Sequence, residues 1–334
     1  MSKQTTPLVT VLTPVYNGAA YLAECIESVL SQTYTNFEYV IVNNKSTDGT
    51  LEIAQEYARH DRRVRVHDNE TFVPVIENHN IAFGLMSPEA KYCKVVSGDD
   101  FIFPMCIERL VVVAEENPSV GLVGCYQLSG SYIRWQGFKY PQAVMRGRDV
   151  CRRVFIGKDP SFGFGSPTSL LYRADLVRRE RDFYPDPSPH SDTSACFQLL
   201  RDVDFGFVFD VLSYERVHEE TQSTASAGLN RYASAYINDL RRYGPWYLSQ
   251  NELQQRLKEE IDDYDRFLAA RISQWRNDKF WNYHRDRREE LGIPIRLGAI
   301  LRAGVTHTAR HVLNPERLLR RVAARFGRRA AAAA

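Results

Sequence analysis

Asp99 and Asp100 stand side by side where a short apolar run breaks off, in the stretch VVSGDDFIFP at residues 95–104. Adjacent carboxylates between buried-looking strand residues repel each other and lose hydration unless a positive partner sits close. A divalent cation is the simplest such partner. Oxygen ligands at a strand end suit Mg2+ or Mn2+, which keep several waters and share substrate phosphates with one or two protein carboxylates. The alternative is a solvated turn in which the first Asp caps a helix. The chain has no GxGxxG after its first strand-like run and no GxxxxGK(S/T), so the usual glycine-rich phosphate cradles are missing. An acid pair with a metal ion would supply the counter-charge they normally provide.

The elements that must position this pair are legible upstream. LVTVLTPVY has the pattern of a buried strand ending at Pro14, and Leu22, Ile26, Val29 and Leu30 recur at helical spacing within residues 20–32. FEYVIVNN is a second strand, followed by a helix through Tyr57 with Ser46 or Thr47 as its N-cap. VRVHDN is a third strand, residues 76–85 a helix and residues 92–96 a fourth strand. Strands alternating with helices imply parallel βαβ units and a doubly wound sheet, whose ligands bind outside the carboxyl ends of the strands. Polar clusters at residues 13–17, 43–48 and 97–100 fall at that edge and define one site.

With 334 residues, 44% hydrophobic and 25% charged, the chain suits one large globular domain with a helical appendage. The net charge of +2 conceals an asymmetry: residues 285–329 hold 12 Arg against 4 Asp or Glu, a basic tail on a mildly acidic body. The six cysteines lack CxxC spacing and read as buried thiols of a reducing compartment. No run reaches the roughly 20 apolar residues of a membrane span, and MSKQTTP lacks a signal-peptide core, which together point to a cytoplasmic protein, peripheral to a membrane at most.

Several segments in order resemble family 2 glycosyltransferases of the GT-A fold over about residues 8–224. VTVLTPVYNGAAYLAECIESVLSQTY is similar to that family's opening strand, loop and helix. VIVNNKSTDGT resembles its VDDGSTDGT segment, SGDDFIFP its DxD region, and SFGFGSPTSLLYRADL the loop and strand after its central sheet. SDTSACFQLL stands where the family has a Glu-Asp pair, and YERVHEETQST resembles its closing motif. The resemblance implies an α/β, Rossmann-like doubly wound and mostly parallel sheet in residues 1–224. Its nucleotide half would span about 1–104 and its acceptor half about 105–224, with a helical extension at 225–330.

It also implies an inverting, metal-dependent transfer of a sugar from a nucleoside-diphosphate sugar to a glycan or lipid-linked acceptor, as in polysaccharide assembly. Thr13, Pro14 and Tyr16 would hold the base, and Asn43 or Asn44 would meet its edge. A UDP-sugar is the first expectation; amides where the family has Asp leave thymidine and guanosine donors open. Asp99 and Asp100 would serve ribose and Mn2+ or Mg2+, with His218 completing the metal site and Asp99 also counted among the nucleotide contacts. Ser97 replaces the first acid of DxD, Ser191 the Glu before Asp192, and Lys45 a usual Gly. Asp192 is the implied catalytic base, with Asp186 and His190, in a loop rich in proline (Pro185, Pro187, Pro189), as alternatives and an N-cap as its structural alternative. Gly163 and Gly165 would let backbone approach the substrate, and Trp135 or Phe138 would stack on a sugar if not part of the core.

Beyond Thr224, residues 232–240, 252–267 and 269–275 read as helices. In residues 315–329, Leu318, Leu319, Val322 and Phe326 lie opposite five Arg, an amphipathic pattern suited to an anionic membrane surface or to packing on the domain; nucleic acid is not expected. A sugar nucleotidyltransferase would need a Gly-rich first loop, which TPVYNGAAY lacks. The competing function is a degenerate domain that binds a sugar nucleotide or a partner without turnover.

Overall fold

The computed structural model describes residues 6–157, 159, 161–217, 231–271 and 278–294. The N-terminal half alternates as expected: β1 (Val9–Val15), α1 (Leu22–Leu30), β2 (Phe37–Asn43), α2 (Thr50–His60), β3 (Val64–Asp68), α3 (Val75–Gly84) and β4 (Tyr92–Val95). These four strands are parallel in the order β3-β2-β1-β4. Strand alternation divides the core between the two faces of the sheet. Leu12, Val40 and Val42 pack with Ala82 and Phe83 of α3, whereas Val11, Tyr39 and Ile41 pack with Leu22, Ile26 and Val29 of α1. Both faces are covered, which is why these strands read as near-continuous apolar runs.

Pro14 lies inside β1 rather than ending it, opposite Val42. Leu12 O accepts from Val96 N on the β4 side and Val15 O from Asn44 N on the β2 side, so Pro14 faces β4, whose register with β1 stops at Leu12–Val95. Its missing N–H therefore costs no ladder bond. The start of α2 also differs from expectation. Gly49 is the N-cap, and the Asp48 carboxylate, rather than Ser46 or Thr47, accepts from Thr50 N at 3.1 Å and from Ala19 N at 3.1 Å.

After the acid pair the sheet continues as mixed strands: β5 (Phe101–Ile102), β6 (Val120–Ser129), β7 (Tyr132–Arg134), β8 (Val144–Met145), β9 (Leu170–Arg173) and β10 (Asp204–Glu215). β9 runs antiparallel between β4 and β6, while β6 and β10 pair in parallel. The intervening helices are α4 (Cys106–Glu116), α5 (Gly147–Ile156), α6 (Ala174–Val177) and α7 (Ser191–Leu199). α8 (Arg231–Arg242) and α9 (Gly244–Tyr247) join the same core, with Leu240, Tyr243 and Tyr247 against Phe155 and Phe197. α10 is one helix, Gln250–Ala270, opened by a Ser249–Glu252 capping box, with no break near Phe267; α11 is Asp278–Glu290. All six cysteines are buried and free. No helix among the described residues is long and apolar enough to cross a membrane. The amphipathic segment at 315–329 and the boundary at Thr224 lie outside the described residues.

Candidate active site

The acid pair sits where β4 leaves the sheet. A Cβ at Gly98 would come 2.8 Å from Val15 Cγ2, so only glycine lets the SGDD turn lie this close to β1. The Asp100 side chain is buried, and its two oxygens have separate donors: Thr168 Oγ1 at 2.6 Å and Arg216 N at 3.0 Å. Burial, reinforced by the charge of Asp99, pushes the Asp100 carboxyl up to about 7 against the pull of those donors. Thr168 Oγ1 also receives Ser97 N at 3.2 Å, so the serine in place of the first family acid is tied to the same node. Thr168 is delivered by a single 3-10 turn after Gly165, whose φ of +129° and lack of a Cβ allow the close approach of Ser169. Beneath, the buried Lys94 Nζ donates to the carbonyls of Thr168 and Val95.

Two adjacent carboxylates, the Asp100 one pushed up to about 7 by burial and its neighbour, form an all-oxygen donor set, which fits a hard divalent cation. Among the described residues no group of three or more His, Cys, Asp or Glu could hold a metal ion, so water or substrate oxygens would have to complete the shell. His218, the expected third ligand, lies outside the described residues. Arg216 is a site residue that sequence reasoning missed. Its Nε donates to Asp99 O at 3.0 Å, its guanidinium pairs with Glu24, and its carbon centre lies 4.5 Å from the ring centroid of Tyr21. The available signal was a cation two residues before His218 in YERVH.

Thr13 and Asn44 are placed at the expected edge but turned to structural work. Thr13 Oγ1 lies 2.9 Å from Tyr39 Oη and donates to Val96 O at 2.8 Å, locking β1 to both neighbours. Asn44 Nδ2 donates to Val73 O at 2.8 Å, and its Oδ1 accepts from Val73 N and from Asn69 Nδ2, each at 3.0 Å. Asn43, also buried, donates to Asp68 Oδ1 at 2.7 Å and keeps a second N–H. Lys45 takes a left-handed φ of 59° and pairs with Asp68 Oδ2 at 2.9 Å; the bond to Lys45 holds the Asp68 carboxyl below its usual value. Tyr16 is 45% exposed and its ring centroid lies 4.8 Å from that of Phe72, itself 57% exposed. Phe72 was not singled out from sequence; a lone Phe in the polar loop NETF was the clue.

Asp192 lies in the first turn of α7, whose N-cap is His190, so it is not the cap. It is half-buried, accepts from Thr193 N at 2.7 Å, and is shifted upward chiefly by burial. Of the alternatives, Asp186 is held by Arg242 Nη1 at 3.0 and 2.8 Å, and His190 Nδ1 lies 3.1 Å from Asp239. Ser191 is buried and accepts from Asp186 N at 3.4 Å.

The profile described as Glycosyl transferase family 2 matches residues 10–180, which span β1 through α6 and include the acid pair and the first loop. This chain belongs to glycosyl transferase family 2. Glycosyltransferase GlyG of Streptococcus pneumoniae is 34% identical over 179 residues, covering 52% of this chain and 57% of GlyG. The match spans about a third to a little over half of the length of the first two curated relatives, GlyG among them. Residues 1–349 of S. aureus TarS, in complex with UDP-GlcNAc, superpose with a TM-score of 0.54 at 17% identity, over 76% of this chain and 71% of that fragment. The mannosyltransferase PcManGT of Pyrobaculum calidifontis, in complex with GDP-Man and Mn2+, gives 0.54 at 15% identity, over 93% and 89%. At these identities the likeness shows a GT-A fold.

Within this family 2 chain the aromatic candidates divide. Phe138 is core, its ring centroid 4.3 Å from that of Phe207. Trp135 is half-buried at φ 68°, its indole N–H donating to Gln127 Oε1 at 3.2 Å and its six-membered ring filling the space a Cβ on Gly163 would need. The close approach that Gly163 permits is thus to Trp135.

Proposed function

We propose that the chain is a metal-dependent, inverting glycosyltransferase that moves a sugar from a nucleoside-diphosphate sugar, with UDP-sugars first, to a hydroxyl of a glycan or lipid-linked acceptor. The observation that carries this reading is the buried Asp100, its two oxygens anchored by Thr168 and Arg216 and its neighbour Asp99 beside it at the carboxyl edge of a parallel sheet. The nucleotide sugars named with TarS and PcManGT support it.

In this reading Tyr16 and Phe72 stack on the base, while Asn43, oriented by Asp68, presents its second N–H to the base edge. Thr13 and Pro14 shape the loop from below. Asp99 faces the ribose or the cation, and Asp99 and Asp100, joined by His218, would hold Mn2+ or Mg2+. Bound there, the cation would neutralise charge on the departing diphosphate. Arg216 adds a fixed positive charge beside the same leaving group. Asp192 removes the acceptor proton as its oxygen attacks the anomeric carbon in line with the leaving phosphate, so inversion needs no covalent intermediate.

Release of nucleoside diphosphate across a panel of UDP-, dTDP- and GDP-sugars, with Mn2+, with Mg2+ and with EDTA, tests the reading. Metal-dependent turnover with one base class is the expected result; binding without hydrolysis or transfer would instead identify a degenerate domain. Delivery to a lipid-linked acceptor is tested separately, since deletion of residues 315–334 should abolish co-flotation with anionic vesicles.

A further inference from the structure

Three features outside the acid pair invite a role. The cavity of about 620 Å³ among Arg146, Arg148, Arg201 and Trp246 opens at the opposite, amino end of β10, but Asp149, Asp202 and Asp204 share it and its guanidinium groups are largely spent on protein partners. Trp135 belongs to the loop already described. The third feature is a buried carboxylate on α8 whose two oxygens reach either side of the candidate base.

Asp239 is 1% exposed. Its Oδ2 lies 3.1 Å from His190 Nδ1, and its Oδ1 accepts from Ser194 Oγ at 2.5 Å. His190 is the N-cap residue of α7 and Ser194 lies one turn further on, so the two contacts bracket Asp192. Three residues along α8, Arg242 donates from Nη1 to both carboxylate oxygens of Asp186 in the loop leading into α7. The His190 ring also packs on Tyr232 from the start of α8, at 5.3 Å between centroids. α7 has no side-chain cap bond of its own. Its first turn is instead fixed from outside by α8, a helix beyond the residues matched by the family profile.

A buried carboxylate is costly unless its oxygens are satisfied, and here both partners are groups whose placement orients the helix start. An Asp–imidazole contact also favours the tautomer with its proton on Nδ1. Among the described residues, the ionisable groups around Asp192 include His190, Asp239, the buried hydroxyls of Tyr172 and Tyr184 and the Cys196 thiol, and Asp239 holds the imidazole in place.

We propose that Asp239 is a positioning residue for the transfer reaction: through His190 and Ser194 it sets the first turn of α7 and so aims Asp192 at the acceptor hydroxyl. The inference rests on Asp192 being the base. It makes α8 part of the acceptor side of the site, with Arg242 holding the proline-rich loop in register.

Steady-state kinetics of Asp239→Ala, Asp239→Asn, Ser194→Ala and Asp192→Asn, measured well below each Tm, test it. Asp239→Ala is expected to lower kcat by about 10- to 100-fold, the scale of a misaligned reacting group, while donor KM and nucleoside-diphosphate Kd stay within about twofold. Asp239→Asn, whose amide can still bridge serine and imidazole, should recover most of the loss. Should Asp239→Ala not fold, Ser194→Ala, which removes one hydroxyl, is expected to show the same kcat-selective loss at smaller size. Unchanged kcat in folded Asp239→Ala or Ser194→Ala, or a fall in donor affinity parallel to kcat, overturns the proposal. Full turnover in Asp192→Asn overturns the base assignment itself; an inactive Asp192→Asn beside a fully active Asp239→Ala overturns only the positioning role.

Discussion

Asn44 grips Val73 by both of its backbone groups, donating to the carbonyl at 2.8 Å and accepting from the N–H at 3.0 Å. A carboxylate could accept from Val73 N but could not donate to Val73 O, so the amide suits a clamp rather than a ligand. Asn44→Asp should therefore destabilise the fold by about 1–3 kcal/mol, the cost of an orphaned buried carbonyl beside a buried charge. Urea unfolding checks this. A variant of unchanged stability would return Asn44 to the base-edge role.

The same clamp holds Phe72, the residue before Val73, against Tyr16. If this exposed pair receives the base, Phe72→Ala and Tyr16→Ala should each weaken nucleoside-diphosphate binding by about 1–3 kcal/mol with little change in Tm. Calorimetric titration against the nucleoside diphosphate and against pyrophosphate separates stacking from phosphate contacts. Equal losses for both ligands would remove the pair from the base site.

Much of this arrangement was legible because it is local. Alternation of apolar runs with helical spacing gave β1 through β4, and the SGDD break marked the acid pair, since both are written in consecutive residues. What escaped was made by residues distant in sequence. Thr168 and Arg216 reach Asp100 from 68 and 116 positions away, and nothing in SFGFGSPTS or YERVH announces that they meet. Asn43 or Asn44 was expected to meet the base edge because the resemblance puts the family's Asp at that strand end; the bond Asn44 makes to a loop backbone 29 residues on has no side-chain signature. Pro14 looked like a terminator because a sequence does not show on which side of a strand the neighbouring ladder ends.

Asp100 should make the metal-free protein lose stability as pH rises. Its carboxyl is pushed up to about 7 from an ordinary 3.8 by burial and Asp99. Below pH 4 the group is protonated in folded and unfolded chains alike. Between pH 4 and 7 the unfolded chain releases this proton and the folded one keeps it, so stability is greatest at the acid end and declines through that window. The decline, on the order of a few kcal/mol at most, should be absent in Asp100→Asn. Thermal melts in EDTA from pH 4.5 to 8 measure it. Added Mn2+ should restore the Tm of the wild type at pH 8 and leave Asp100→Asn unmoved.

Asp192 should separate binding from chemistry. It stands on α7, and its described hydrogen bond is to Thr193 N, with no part in the clamp that holds the loop beside Tyr16 and Phe72. Asp192→Asn keeps the size of the side chain and an acceptor for Thr193 N, so the helix start should survive. An amide cannot take up the acceptor proton, and loss of a general base costs about 10²- to 10⁴-fold. Donor affinity should stay within about twofold while kcat falls by that factor. In the wild type, burial raises the Asp192 carboxyl, and a base acts only when ionised, so turnover should fall on the acid side at a higher pH than an exposed aspartate would give. A pH profile of kcat that loses this acid limb in Asp192→Asn along with the rate would tie the limb to this residue. Retention of both rate and limb would send the search for the base to His190, the nearest group with an imidazole to offer.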